Sequence, residues 1–305
     1  MGRWHLGRDA SHLAWDNALP PKLRVSPGTV VEVDTLDSSG GQIGPDASAT
    51  ALATLDFNTV NPCTGPIYVD GAEPGDDLVV TFEELEVADW GWTANIPGFG
   101  LLADQFPEPH LRVSKVSADS AELLPGLTVP RIPMIGTIGV APSEPGQTPL
   151  LVPTEAGGNL DIRNVGRGAV LRLPVRVPGA LLSVGDAHAS QGDGEVCGTG
   201  VETTASMQLR LDLEKGRARR TPMLETTTAS ARAGAALVTT GVGPDLFEAA
   251  RVATLQMVEE VSRRTGLAEV DAYLLLSIVG DLKISEVVDA PNWVVSMHLE
   301  RAVLD

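Results

Sequence analysis

The run Met207-Gln208-Leu209-Arg210-Leu211-Asp212-Leu213-Glu214 alternates apolar and polar residues without a break, the period-two pattern of a half-buried β-strand. The alternation returns in Leu171, Leu173, Val175 and Val177, which point one way while Arg172 and Arg176 point the other. Residues 30–33, 78–87 and 112–116 read as further strands. Between them stand Pro20-Pro21, Pro27-Gly28, Gly40-Gly41, Pro74-Gly75, Pro125-Gly126, Gly157-Gly158 and Pro178-Gly179. Proline ends a strand by fixing φ and removing a donor, glycine by admitting φ > 0. With 32 Gly and 22 Pro in 305 residues, this spacing predicts a mainly β, sandwich- or barrel-like core over residues 1–235 rather than βαβ units.

Residues 236–305 change period and read as a smaller α+β part packed on the core, not an independent domain. Leu246, Ala250, Ala253, Met257 and Val261 step by helical intervals, with Pro244 at the start and Gly266 just past the end. A second helix is expected over 269–279, stopped by Gly280, and a return to strand over 281–288.

Asp plus Glu number 40 against 22 Lys plus Arg, a formal charge of −18 that disfavours nucleic acid and anionic membrane surfaces as partners. Two cysteines, Cys63 and Cys197, rule out a disulfide framework. The N-terminal stretch lacks an apolar signal region, and no run approaches 18 consecutive apolar residues, so a soluble, cytoplasmic protein is expected.

The densest chemistry lies in 183–195, SVGDAHASQGDGE. The strand-like run 179–184 leads into it. If the extended conformation continues, Asp186 and His188 share one face, roughly 7 Å apart along the chain, and can reach one cation together. Carboxylate oxygen and neutral imidazole nitrogen suit Zn²⁺ and related divalent ions. Gly192 and Gly194 let the chain turn so that Glu195 approaches the same point as a general base. An acidic turn held by Asx hydrogen bonds is the plain alternative. A thiolate at Cys197, with His188 or Glu195 as base, is a rival chemistry. Among the other histidines, His12 is the best candidate for a further ligand or substrate-binding role. A second polar cluster, residues 34–42, reads on spacing alone as an ordinary turn, although its Asp37 could close a cation site from afar.

Six segments taken in order resemble the acetamidase/formamidase family: DSSGGQ at 37–42, GPIYVDGAEPGD at 65–76, PMIGTIGV at 133–140, GGNLDIR at 157–163, LPVRVPGALLSVGDAHASQGDGE at 173–195, and residues 272–288. The resemblance implies a mainly β fold with some helix, hydrolysis of a short linear amide to ammonia and carboxylate, and a homo-oligomer, dimeric or higher. It implies Asp37, Asp186 and His188 as ligands of a divalent metal, Zn²⁺ first and Ca²⁺ second, and Glu195 as the base. Asn159 and Asp161 occupy the polar positions of the GGN-D block, and Gln191 or Asn159 is expected to orient the amide. Residues 61–64, NPCT, depart from some relatives, which leaves the choice of amide open. Cyclic amides, a Cys197-dependent amidase and a non-enzymatic cation-binding β protein are the alternatives.

Overall fold

The structure, a computed structural model, describes residues 4–217, 219–227 and 234–304. The Met207 run forms the strand Ala205–Glu214, third in a nine-stranded sheet. Met207, Leu209 and Leu211 are buried and Gln208, Arg210 and Asp212 half-buried, as the alternation requires. Its neighbours are Thr29–Thr35 and Asp77–Val87, both antiparallel to it. Beyond them the sheet runs through Val170–Pro174, Met223–Glu225, Ala236–Gly243 and Trp293–Glu300 to Asp281–Glu286 at one edge.

A second, eleven-stranded sheet packs across it, with Leu182–His188 at its centre. That strand is flanked by Met134–Gly139 on one side and by Cys63–Val69 and Glu202–Thr203 on the other, and all seven of its residues are buried. The inner faces share one apolar core. Val31, Val80, Phe82, Leu171 and Leu209 come from the first sheet; Ile67, Ile135, Ile138, Leu182 and Val184 come from the second. The fold is thus a mainly β sandwich.

The helix Leu246–Thr265 is capped by Asp245, whose side chain accepts from the Glu248 N–H, and ends on Gly266 in the left-handed region at φ 76°. A shorter helix spans Glu269–Val279. Ala253, Met257, Val261, Ala272 and Leu276 pack on Met223, Leu237, Met297 and Leu299, forming a second apolar cluster on the outer side of the nine-stranded sheet. Ala236–Gly243 pairs directly with Met223–Glu225, so the C-terminal segment continues that sheet.

Two expectations about the central strand need correction. Residues 179–181 are not extended, since Ala180 and Leu181 both have φ 60°; the strand starts at Leu182. Nor is the extension uniform through the motif. Leu182 and Val184 enter the core, and next Ala187 does, because Asp186 at φ 54° shifts the alternation by one.

Candidate active site

Four non-glycine residues with positive φ converge here: Asn61 (52°), Asp161 (45°), Asp186 (54°) and Glu195 (44°). Such conformations cost of order 1–3 kcal/mol each and persist where the surroundings enforce them, commonly at functional sites. The sandwich supplies that enforcement. Gly136 of the neighbouring strand has no side chain because Asp161 and Asp186 carboxylates occupy the space a Cβ would need.

His188 is the hub. Its Nδ1–H donates to Gln191 Oε1 at 2.6 Å, and Gln191 Nε2 donates to the Asp161 backbone carbonyl at 2.7 Å, which fixes both amide and ring. Nε2 then faces Asp186 Oδ1 and Glu202 Oε2, each at 3.1 Å. Asp161 Oδ1 and Glu195 Oε1 both lie 3.9 Å from Nδ1. Three overlapping groups have ligand atoms within 4.8 Å of one another: Asp161, Asp186 and His188; His188, Glu195 and Glu202; Asp161, Glu195 and Asp289. All are buried. The carboxylate of Asp161 is the least satisfied, since neither oxygen has a hydrogen-bond partner.

The electrostatics follow from this crowding. Burial, then the Asp186 charge, pushes the Asp161 carboxyl well above its ordinary range. Glu195 is pushed well up by burial and Asp161, and Asp289 likewise. Glu202 is raised by burial despite His188 beside it. Burial alone would lower the His188 imidazole, but Glu202 and Asp186 together hold it well above its usual value. Buried like charges of this kind call for a positive partner.

Asp186, His188 and Glu195 are therefore brought together. Gln191 sits between His188 and the Asp161 backbone, where it orients the ring. Asn159 Oδ1 accepts from Asn61 Nδ2 at 3.0 Å and from the Thr137 hydroxyl, while its Nδ2 donates to Asp289. Asp37 lies apart from the three groups. Its carboxylate accepts from the Ser39 N–H (3.0 Å), the Ser39 hydroxyl, the Gly41 N–H (3.1 Å) and Trp92 Nε1 (3.2 Å). This Asx turn presents Ser38, whose hydroxyl donates to Glu202 at 2.7 Å. His12 is also elsewhere: Nδ1 donates to the Ala14 carbonyl, Nε2 accepts from Ser183, and burial lowers its pKa. Cys63 and Cys197 are both free thiols. The Cys197 Sγ contacts Thr199 rather than an imidazole.

Glu202 and Asp289 escaped the sequence reading. Glu202 had a usable signal, a lone acid inside the Val201-Glu202-Thr203 strand run. Asp289 had none: it meets Asn159 across 130 residues of chain, because the edge strand Asp281–Glu286 is carried past the Glu195 loop. There the Gly194 N–H donates to the Ser285 carbonyl at 2.8 Å.

Above this cluster opens a small cavity, about 50 Å³ in volume. Its polar floor is Asp186, Glu195, Glu202, Asp289 and Asn159, and its walls include Leu55, Trp92, Phe99 and Leu151.

The Acetamidase/Formamidase family profile matches residues 5–150 and 147–305. A putative formamidase of Schizosaccharomyces pombe is 30% identical over 263 residues, covering 67% of this chain and 64% of its own. The chain thus spans 64–66% of the length of the curated relatives it matches. The crystal structure of an acetamidase from Bacillus halodurans superposes with a TM-score of 0.89 at 33% identity, covering 98% of both chains. A predicted acetamidase/formamidase from Thermoanaerobacter tengcongensis gives 0.91 at 33% identity, covering 99% of this chain and 97% of that one. Profile and fold agree from end to end, and the chain belongs to the acetamidase/formamidase family.

Proposed function

We propose that the protein hydrolyses short linear amides, consuming water and releasing ammonia and the carboxylate. The observation that carries this reading is the Asp161 carboxylate, buried without a hydrogen-bond partner among Asp186, His188, Glu195 and Asp289, beneath a cavity only about 50 Å³ in volume. So small a space suits a molecule of only a few non-hydrogen atoms. Formamide and acetamide are of that size. The net charge of −18 is no obstacle to a neutral substrate.

The donor set fits a divalent cation. Asp161, Asp186 and His188 would hold it, with Zn²⁺ favoured by the imidazole and Ca²⁺ by the surrounding carboxylates. A bound cation supplies Lewis acidity toward the amide carbonyl and makes water easier to deprotonate. The chain supplies the rest. Gln191 accepts from His188 Nδ1–H, so Nε2 is the nitrogen that would face a bound cation once its proton is lost. Glu195 takes the proton of the attacking water and returns it to the departing nitrogen, a role suited to a carboxyl whose pKa burial has raised. Asn159, at the cavity floor, holds Asp289 in place. Asp37 acts in this reading through the turn that directs Ser38 onto Glu202, in place of direct ligation.

The exposed apolar side chains Phe247, Val270, Tyr273 and Ile278 of the C-terminal helices support a homo-oligomer, which sedimentation tests. Two free thiols suit a reducing cytoplasm. The deciding experiment measures ammonia release from formamide, acetamide and a γ-lactam, with and without chelator, alongside metal content. Chelator-sensitive turnover of the linear amides is expected; turnover that survives metal removal defeats the mechanism, and preference for the lactam defeats the substrate class.

A further inference from the structure

The cavity has two unlike halves. Besides the carboxylates and Asn159, Leu55, Phe57, Ile96, Phe99 and Leu151 line it and form an apolar wall. An amide has the same duality, a polar carboxamide and an acyl substituent. Once the carboxamide carbon lies against Glu195, the substituent must point at that wall.

Phe99 is the part of the wall whose position is tied to the base. Gly198 stands three residues after Glu195 at φ 87°, and the Phe99 ring occupies the space its Cβ would fill. Gly100, at φ 101°, lies against the Cys197 backbone. The two loops are also hydrogen-bonded, with the Leu101 N–H donating to the Val196 carbonyl at 2.9 Å, while the Phe99 N–H closes a turn on the Ile96 carbonyl at 3.0 Å. On the other loop the Gly198 N–H donates to the Glu195 carbonyl at 2.7 Å. Wall and base therefore form one braced unit, and the gap between them has a set depth.

We infer that Phe99, braced on Gly198, is the residue that limits acyl-chain length, so that the cavity admits the carboxamide of formamide or acetamide and rejects that of butyramide and longer aliphatic amides. The inference rests on the hydrolytic reading above for its substrate class. Its physical basis is separate: shortening Phe99 removes apolar volume on the acyl side while leaving every carboxylate of the floor in place.

The test compares metal-loaded wild-type protein with Phe99→Ala and the milder Phe99→Leu on formamide, acetamide, propionamide, butyramide and hexanamide. The ratio of kcat/KM for butyramide to that for formamide should rise about tenfold or more in Phe99→Ala, and less in Phe99→Leu, as expected for methylenes gaining an apolar site. A parallel thermal-shift series reads binding without turnover, and there the longest amide that raises Tm should lengthen from wild type to Phe99→Ala. An unchanged length limit in both series overturns the inference. A lengthened limit in the thermal series, with no ammonia from any amide, upholds the wall and overturns the hydrolytic reading instead.

Discussion

Two clusters of buried acids in this protein are treated in opposite ways. Glu260, on the long C-terminal helix, is nearly wrapped in guanidinium: Arg263 lies at 2.6 Å, Arg264 at 2.6 Å and Arg219 at 3.4 Å, and Arg219 also pairs with Asp77 at 2.6 Å. Burial would raise its pKa, but the Arg263 and Arg264 hydrogen bonds outweigh burial and bring it down to about 2. Around Asp161 the sandwich collects Asp186, Glu195, Glu202 and Asp289 with one imidazole, that of His188. The Asp161, Glu195, Glu202 and Asp289 carboxyls are raised where Glu260 is lowered. The first cluster is neutralised by its own arginines; the second sets several buried carboxyls against a single imidazole.

The largest effect expected is on chemistry. Glu195→Gln should reduce ammonia release roughly 10²- to 10⁴-fold with metal content unchanged; wild-type turnover in that variant would remove Glu195 from the reaction. The next test separates the clusters by sign. Asp161→Asn should weaken metal binding by about tenfold or more, read by competition with a chromogenic chelator. In chelated protein the same change relieves like-charge repulsion, so its Tm should rise or hold, whereas with metal present its Tm should fall below wild type. A fall in both conditions would mean that Asp161 is structural.

Glu260→Gln should lower stability in either condition, by about 1–3 kcal/mol in denaturant melts, because it leaves partly buried arginines short of a charged acceptor. The pH dependences should also oppose one another. Glu260 has a folded pKa of about 2 against an ordinary 4.5, so its contribution is present above 4.5 and is lost as pH falls toward 2. The raised carboxylates and the raised His188 contribute in the other direction. In metal-free protein their stabilisation is present at low pH and lost as pH rises through the elevated values, so chelated protein should gain Tm as pH falls from the elevated values, the His188 share complete by its ordinary 6.5 and the carboxyl share continuing down toward the ordinary 3.8 of Asp161 and 4.5 of Glu195. A flat profile would deny the crowding. The smallest effect concerns Asp37: Asp37→Asn should cost about 1 kcal/mol of stability through weakened turn hydrogen bonds, with metal content intact. Loss of metal there would restore Asp37 as a ligand.

Much of this was readable from residues alone, and unevenly so. Alternation in 207–214 identified a strand because side chains on a pleated sheet follow period two wherever one face is buried. The helices were visible from their apolar stripe and from Gly266 and Gly280. Asp186, His188 and Glu195 could be named because they lie within ten residues of one another in a glycine-rich segment. The path between them was less legible: the left-handed turn at Asp186 is imposed by the packing of neighbouring strands, and no local pattern announces it.

Sequence by itself determined the β class, the C-terminal helices and the family, since each depends on local periodicity or on contiguous motifs. Only the tertiary structure decided which acids meet. It assigned Asp37 to its own turn and His12 to Ser183, and it drew Asp161 and Glu202 to His188, and Asp289 to Asp161 and Glu195, from separate strands and loops. The reason is physical: a carboxylate's role is set by what lies within a few ångströms of it, and in a sandwich those neighbours come from strands far apart in the chain.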